Sequence, residues 1–249
     1  MKKLLVEICC GSYYDAIQAA AGNAERIELN SALALGGLTP SVAELLLVKR
    51  ETPLKVICMA RPRGGGFCYG LEDFKQMFFD CQVMMDHGAD GVAFGCLKPD
   101  RTIDLSQTEM MVKIIKQRGG EAVFHRAFDC VENPFEAVEQ LISLGVDRIL
   151  TSGQKEKAME GAELIRKLND KYGDRIEILA GSGVNGENVR ELAEKTGVLQ
   201  VHSSCRDWIM DPTTAGNGVS YSFADPCHAM CFDAVSREKV EELIKNSNI

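Results

Sequence analysis

Residues 122–136 read A-V-F-H-R-A-F-D-C-V-E-N-P-F-E. Ala122–Phe124 is a short apolar run with the length of a buried strand. It ends in His125, Arg126 and Asp129, groups that titrate or carry charge. Asn133 follows as a helix N-cap, with Pro134 at the first helical position and Glu136 three residues on. The unit is strand, polar loop, helix. Such a loop stands at a strand's carboxyl end, where α/β sheets and barrels bind their ligands.

The unit recurs along the chain. Strands are expected over 4–9, 26–30, 54–61, 91–94, 122–125, 148–152, 176–181 and 199–203. Helical patterns separate them over 13–21, 41–50, 71–87, 105–117, 134–143, 156–171 and 186–196. Glycines such as Gly88, Gly145 and Gly197 follow the helix ends, where a left-handed residue is needed. Eight strands alternating with helices, without a break in composition, predict one α/β domain. The count favours a closed (β/α)8 TIM-type barrel over residues 1–204, with a doubly wound open sheet as the alternative. Residues 205–249 lose the pattern. They read as an irregular loop and a helix from Ser236 that complete the same domain.

The length of 249 residues matches the ~250 typical of such a barrel. The net charge of −8 comes without a long basic run, which argues against a nucleic-acid groove and an anionic membrane surface. Glu7 falls where a signal peptide requires apolar residues, and no apolar run reaches spanning length. A cytoplasmic protein is expected. Its ten cysteines fall below the density of a disulfide scaffold and read as reduced, several of them as small core hydrophobes.

Parallel strands covered on both faces are normally apolar throughout. These strands alternate instead. Val6, Ile8, Ile27 and Leu29 share one face; Glu7, Cys9, Arg26, Glu28 and Asn30 share the other. The face towards the helices must be apolar, so the charged face lines the barrel. Arg26 and Arg148 read as internal ion pairs. Glu7, Cys9, Glu28, Arg61, His125 and His202, near strand ends, read as a polar pocket at the mouth. His125 with Glu7, Glu28 or Asp129 is a candidate general acid–base set.

Anion-binding candidates follow from the loops. Gly181-Ser182-Gly183 and His202-Ser203-Ser204 follow strands seven and eight, where barrels cradle phosphate on backbone N–H groups. Ser152 and Gly153 after strand six are placed to contribute. Arg61, on a glycine-bearing loop, is suited to gripping a carboxylate or phosphate. The soft donors Cys227, His228 and Cys231, with His202 and Cys205 upstream, form a looser metal candidate, without a standard zinc spacing.

With these residues placed, the chain resembles the CutC copper-homeostasis family. The likeness runs through Val6-Glu-Ile-Cys9, Arg26-Ile-Glu28-Leu, Ser31 to Pro40, Arg61-Pro-Arg-Gly-Gly65, Asp90 to Gly95, Phe124-His-Arg-Ala-Phe-Asp129, Leu150 to Gly153 and Val201-His-Ser-Ser204. It implies a TIM-type barrel, a cytoplasmic homo-oligomer, often a dimer, and a role in copper tolerance or trafficking. It also implies Cu(I) at strand-end cysteines. Cys9 matches one such ligand; the second position holds Asn30. Two functional readings stand at this point. One is Cu(I) binding through Cys9. The other is a barrel enzyme acting on a small anionic or phosphorylated metabolite, with His125 as acid or base. A third, an effect exerted through a partner protein, has only the irregular tail behind it.

Overall fold

The computed structural model describes residues 3–248. Strands β1 (Leu5–Cys10), β2 (Arg26–Leu29), β3 (Lys55–Met59), β4 (Gly91–Phe94), β5 (Glu121–Phe124), β6 (Arg148–Thr151), β7 (Glu177–Gly181) and β8 (Gln200–Ser203) close a barrel in chain order. All eight ladders are parallel; β1 joins β8 with Glu7 opposite His202, and joins β2 with Glu7 opposite Arg26. The open-sheet alternative is thereby excluded.

Helices α1 (Tyr13–Ala21), α2 (Val42–Glu51), α3 (Leu71–Asp86), α4 (Leu105–Lys116), α5 (Pro134–Leu144), α6 (Ala162–Tyr172) and α7 (Val189–Thr196) form the shell. Asn133 Oδ1 accepts from the backbone N–H groups of Phe135 and Glu136, which starts α5 where the sequence places it. Two helices start later than expected. Before α6, Gly161 crosses so close to Ser152 that a methyl group on it would lie 2.0 Å from the Ser152 carbonyl oxygen. That crossing consumes residues 156–161. Before α7, the Asn185 side chain accepts from the N–H groups of Glu187 and Asn188, so this segment turns rather than coils.

The outward strand residues Val6, Ile8, Ile27, Leu29, Val56 and Cys58 pack into the main core against the helices. Inside the barrel a small apolar cluster of Ile57, Met59, Ala93 and Val123 fills one side. Leu150 adds apolar surface at the mouth, and much of the remaining interior is polar.

The tail is not wholly irregular. β9 (Arg206–Met210) pairs antiparallel with β12 (Cys231–Val235), Trp208 opposite Asp233. A small hairpin of β10 (Ala215–Gly216) and β11 (Val219–Ser220) lies between them, and α8 (Arg237–Asn246) closes the chain. The ribbon is fastened to the barrel. Val235 N donates to Asp15 Oδ1 at 2.8 Å, and Ser236 N to the Cys205 carbonyl at 2.9 Å. Trp208 stacks on His228 with ring centroids 4.3 Å apart.

Candidate functional site

The barrel floor is a layer of ion pairs. Arg26 Nε lies 2.6 Å from Glu7 Oε2, and Arg26 Nη2 donates to Gln200 Oε1 at 2.7 Å. Arg148 bridges Glu121 and Glu177, each at 2.8 Å, and Lys55 also pairs with Glu121. Arg26 and Arg148 are each 2% exposed, so their charges need these partners. Their expected structural role is what the coordinates give.

Above that floor Glu7 changes partners. Its other oxygen, Oε1, lies 2.9 Å from His202 Nδ1. Burial alone would raise the Glu7 carboxyl, but Arg26 and His202 hold it at about 2. Burial opposes charge on His202 as well, yet its bonds to Cys9 and Glu7 and the nearby Glu28 push it well above the usual imidazole range. A carboxylate on Nδ1 fixes the ring and leaves Nε2 as the free ligand atom.

Cys9, Glu28 and His202 each offer a ligand atom, and these atoms lie within 4.8 Å of one another. Cys9 Sγ is 4.0 Å from Glu28 Oε2. Asn30 braces both: its Nδ2 donates to Glu28 Oε2 at 3.0 Å and to Cys9 Sγ at 3.6 Å. Burial raises the Cys9 thiol and the Glu28 carboxyl, while His202 counters both shifts.

These residues line one wall of a cavity of about 310 Å³ at the carboxyl end of the barrel. The opposite wall carries Met59, Arg61, Phe67, His125 and Leu150. Arg206, Asp233, Ala234 and Val235 of the tail ribbon roof it. His125 Nδ1 accepts from the Ala127 N–H at 3.1 Å, so the ring proton sits on Nε2, which has no hydrogen-bond partner among the described residues. Burial, helped by the Arg61 charge, lowers His125 to about 3. Arg61 lies two residues beyond β3, not within it. Its Nη1 donates to the carbonyls of Leu35 and Gly37 and its Nη2 to that of Gly65, while Nε has no hydrogen-bond partner among the described residues.

The other sequence candidates lie elsewhere. Asp129 does not reach His125. Its carboxylate accepts from Thr151 Oγ1 (2.5 Å), Ser152 Oγ (2.9 Å), the N–H groups of Ser152 and Gln154 (3.1 Å each) and Arg126 Nε (2.9 Å). The Gly153 N–H donates to Thr151 Oγ1 at 2.9 Å, so the backbone donors at Ser152 and Gly153 are already taken within the protein. Ser182 Oγ donates to the Glu156 carbonyl and buried Ser203 Oγ to the Val184 carbonyl, both at 2.6 Å. Gly181 packs its Cα against Leu150 and His202. Gly183 borders a second cleft beside Lys157, Lys239 and Glu242, whereas Ser204 lines both that cleft and the main cavity. There the Glu242 side chain crowds Gly186 at the entrance to α7. A phosphate at that helix start would face a carboxylate. Glu7 lies beneath the cavity rather than in its wall, and Ser203 borders only the cleft. Of the tail thiols, Cys227 is exposed and Cys205 buried; among the described residues they join no donor cluster. Sequence reasoning missed the pairing of His202 with Cys9 and the roofing by the ribbon. The signal for the first was two charged interior faces on β1 and β8, whose register only the closed barrel fixes.

Known proteins share this arrangement of chain. The model of the CutC family matches residues 4–207, ending two positions into β9. The family protein CutC of Treponema denticola is 47% identical over 221 residues, covering 89% of each chain. That of Bacteroides fragilis is 40% identical, covering 84% of this chain and 83% of its own. The solved CutC structure from Streptococcus agalactiae, named for copper homeostasis, superposes with a TM-score of 0.76 at 31% identity, covering 81% of this chain and 98% of that one. Phosphoribosylanthranilate isomerase from Thermotoga maritima, at 15% identity and a TM-score of 0.56, shares the fold alone. With the matched stretch running through all eight strands of the barrel and the donors Cys9, Glu28 and His202 within it, the chain belongs to the CutC family.

Proposed function

We propose that this protein serves copper homeostasis by holding Cu(I) between Cys9 Sγ and His202 Nε2, with Glu28 as a third, weaker donor. The observation that carries this reading is the 4.8 Å clustering of those three ligand atoms at the barrel mouth. Thiolate and imidazole both suit Cu(I); carboxylate is the harder donor. His202 stands in for the second family thiol, whose position Asn30 occupies, and Glu7 orients it. Metal binding releases the thiol proton that burial otherwise retains and the Nε2 proton of His202, since both ligands bind deprotonated.

The test is an anaerobic Cu(I) titration against a chromophoric chelator. One equivalent is expected to bind, and Cys9→Ser and His202→Gln each weaken it by about 10–100-fold. Equal, weak, non-stoichiometric uptake by all three proteins overturns the assignment. A cytoplasmic setting accords with ten free cysteines. No helix among the described residues is long and apolar enough to cross a membrane. Self-association through the ribbon accords with the exposed Met210, Tyr221, Phe223 and Phe232, and light scattering of wild type and Phe223→Ser tests it.

A further inference from the structure

The cavity has a second wall that copper does not use. Arg61 is 5% exposed, yet its guanidinium donates to the neutral carbonyl oxygens of Leu35, Gly37 and Gly65. No carboxylate pairs with it among the described residues, whereas the other buried arginines, Arg26 and Arg148, both have carboxylate partners. Burying a cation without a counter-charge is costly. Its Nε–H is left over. His125, 3% exposed, leaves its Nε2–H over in the same way. The neutral Tyr69 hydroxyl is a further neighbour of Arg61. Arg61 and His125 both pack on Phe67: the Arg61 guanidinium carbon lies 5.1 Å from that ring's centroid and the His125 ring 5.0 Å. Met59 and Leu150 supply apolar surface beside them.

Two orphaned N–H donors, one cationic, beside an apolar wall describe the complement of a small organic carboxylate. We infer that this wall is a binding site for such a ligand, its carboxylate accepting from Arg61 Nε and His125 Nε2, its carbon chain lying on Met59, Phe67 and Leu150. A cavity of about 310 Å³ is larger than an inorganic anion fills. It sits at the small end of metabolite sites, which run from roughly 300 to 1,000 Å³. A neutral imidazole keeps its Nε2 proton for donation, so the site does not depend on protonating His125. The inference stands apart from the copper reading, since neither Arg61 nor His125 belongs to the metal-donor set.

The experiment uses full-length, chelator-washed protein, so that copper plays no part. Calorimetry and thermal shift are run with three- to six-carbon monocarboxylates and their 2-hydroxy and 2-oxo forms. The matching primary amides and inorganic phosphate serve as controls. At least one carboxylate should bind saturably, with its amide weaker by about tenfold or more, the cost of one charge-assisted hydrogen bond. His125→Phe, which keeps the ring's shape and removes the donor, should weaken it by a similar factor while circular dichroism stays unchanged. Arg61→Lys, which keeps the charge and removes Nε, should do the same. The inference is overturned if no carboxylate binds better than its amide. It is also overturned if phosphate binds as well as every carboxylate, or if both folded variants bind like wild type.

Discussion

His202 Nδ1 sits 2.9 Å from Glu7 Oε1, across the seam where β8 closes onto β1. The same carboxylate holds Arg26 with its other oxygen. One buried anion thus secures both the floor of the barrel and the ring that faces Cys9. Glu7→Gln should cost about 3–5 kcal/mol of unfolding free energy, because Arg26 loses its counter-charge in a place water does not reach. Cu(I) affinity should fall about 10–100-fold in the protein that remains folded. Urea denaturation and copper competition measure the two effects separately; wild-type values in both would refute this role for Glu7.

The two interior arginines are not equivalent. Arg26→Met leaves Glu7, whose side chain is 2% exposed, with His202 as its remaining partner, whereas Arg148→Met leaves Glu121 and Glu177, at 28% and 50%, open to water. The first should cost about 3–5 kcal/mol and the second about 1–2 kcal/mol. Parallel urea titrations decide the ranking, and equal losses would show that exposure of the abandoned partner is not what matters.

His125 should leave a mark on the pH dependence of stability. Its folded value is about 3 against 6.5 for a free imidazole. Above pH 6.5 both folded and unfolded forms are neutral, and stability is full. As pH falls below that, the unfolded chain takes up a proton that the folded one refuses, so stability drops until the folded value is reached. Between about pH 7.5 and about pH 5 the loss should be about 2 kcal/mol. Comparison with His125→Gln, which cannot titrate, isolates this contribution from that of His202. An identical pH slope in both proteins would contradict it.

Gly95 gives the ring its room. A methyl group there would lie 2.6 Å from both His125 Cε1 and Ala127 Cβ. Gly95→Ala should destabilise by about 1–3 kcal/mol and shift the His125 resonances in a histidine-selective NMR spectrum. A variant with unchanged stability and spectrum would mean that the loop yields freely.

Much of this was legible in the chain itself. Val6-Glu7-Ile8-Cys9 and Ile27-Glu28-Leu29 alternate, and alternation on a covered strand already demands a polar interior. Cap chemistry at Asn133 located the start of α5. Register was not legible: Glu7 and His202 are 195 residues apart, and only the closed ring sets them side by side. Asp129 misled because it stands four positions after His125. The 3-10 turn Arg126–Cys130 swings its carboxylate towards β6 instead, where Thr151 and Ser152 receive it. β9 escaped notice because it is largely open to solvent, so no alternation marks it.

Of the ribbon above the cavity, Asp233, Ala234 and Val235 lie outside the family-matched residues, whereas Cys9, Glu28, His202 and the Arg61–His125 wall lie within them. A substitution in the ribbon would therefore reshape the cavity's entrance while leaving its barrel walls in place. Entrance and walls are thus separable parts of one domain, joined where the Asp15 carboxylate accepts from the Val235 N–H.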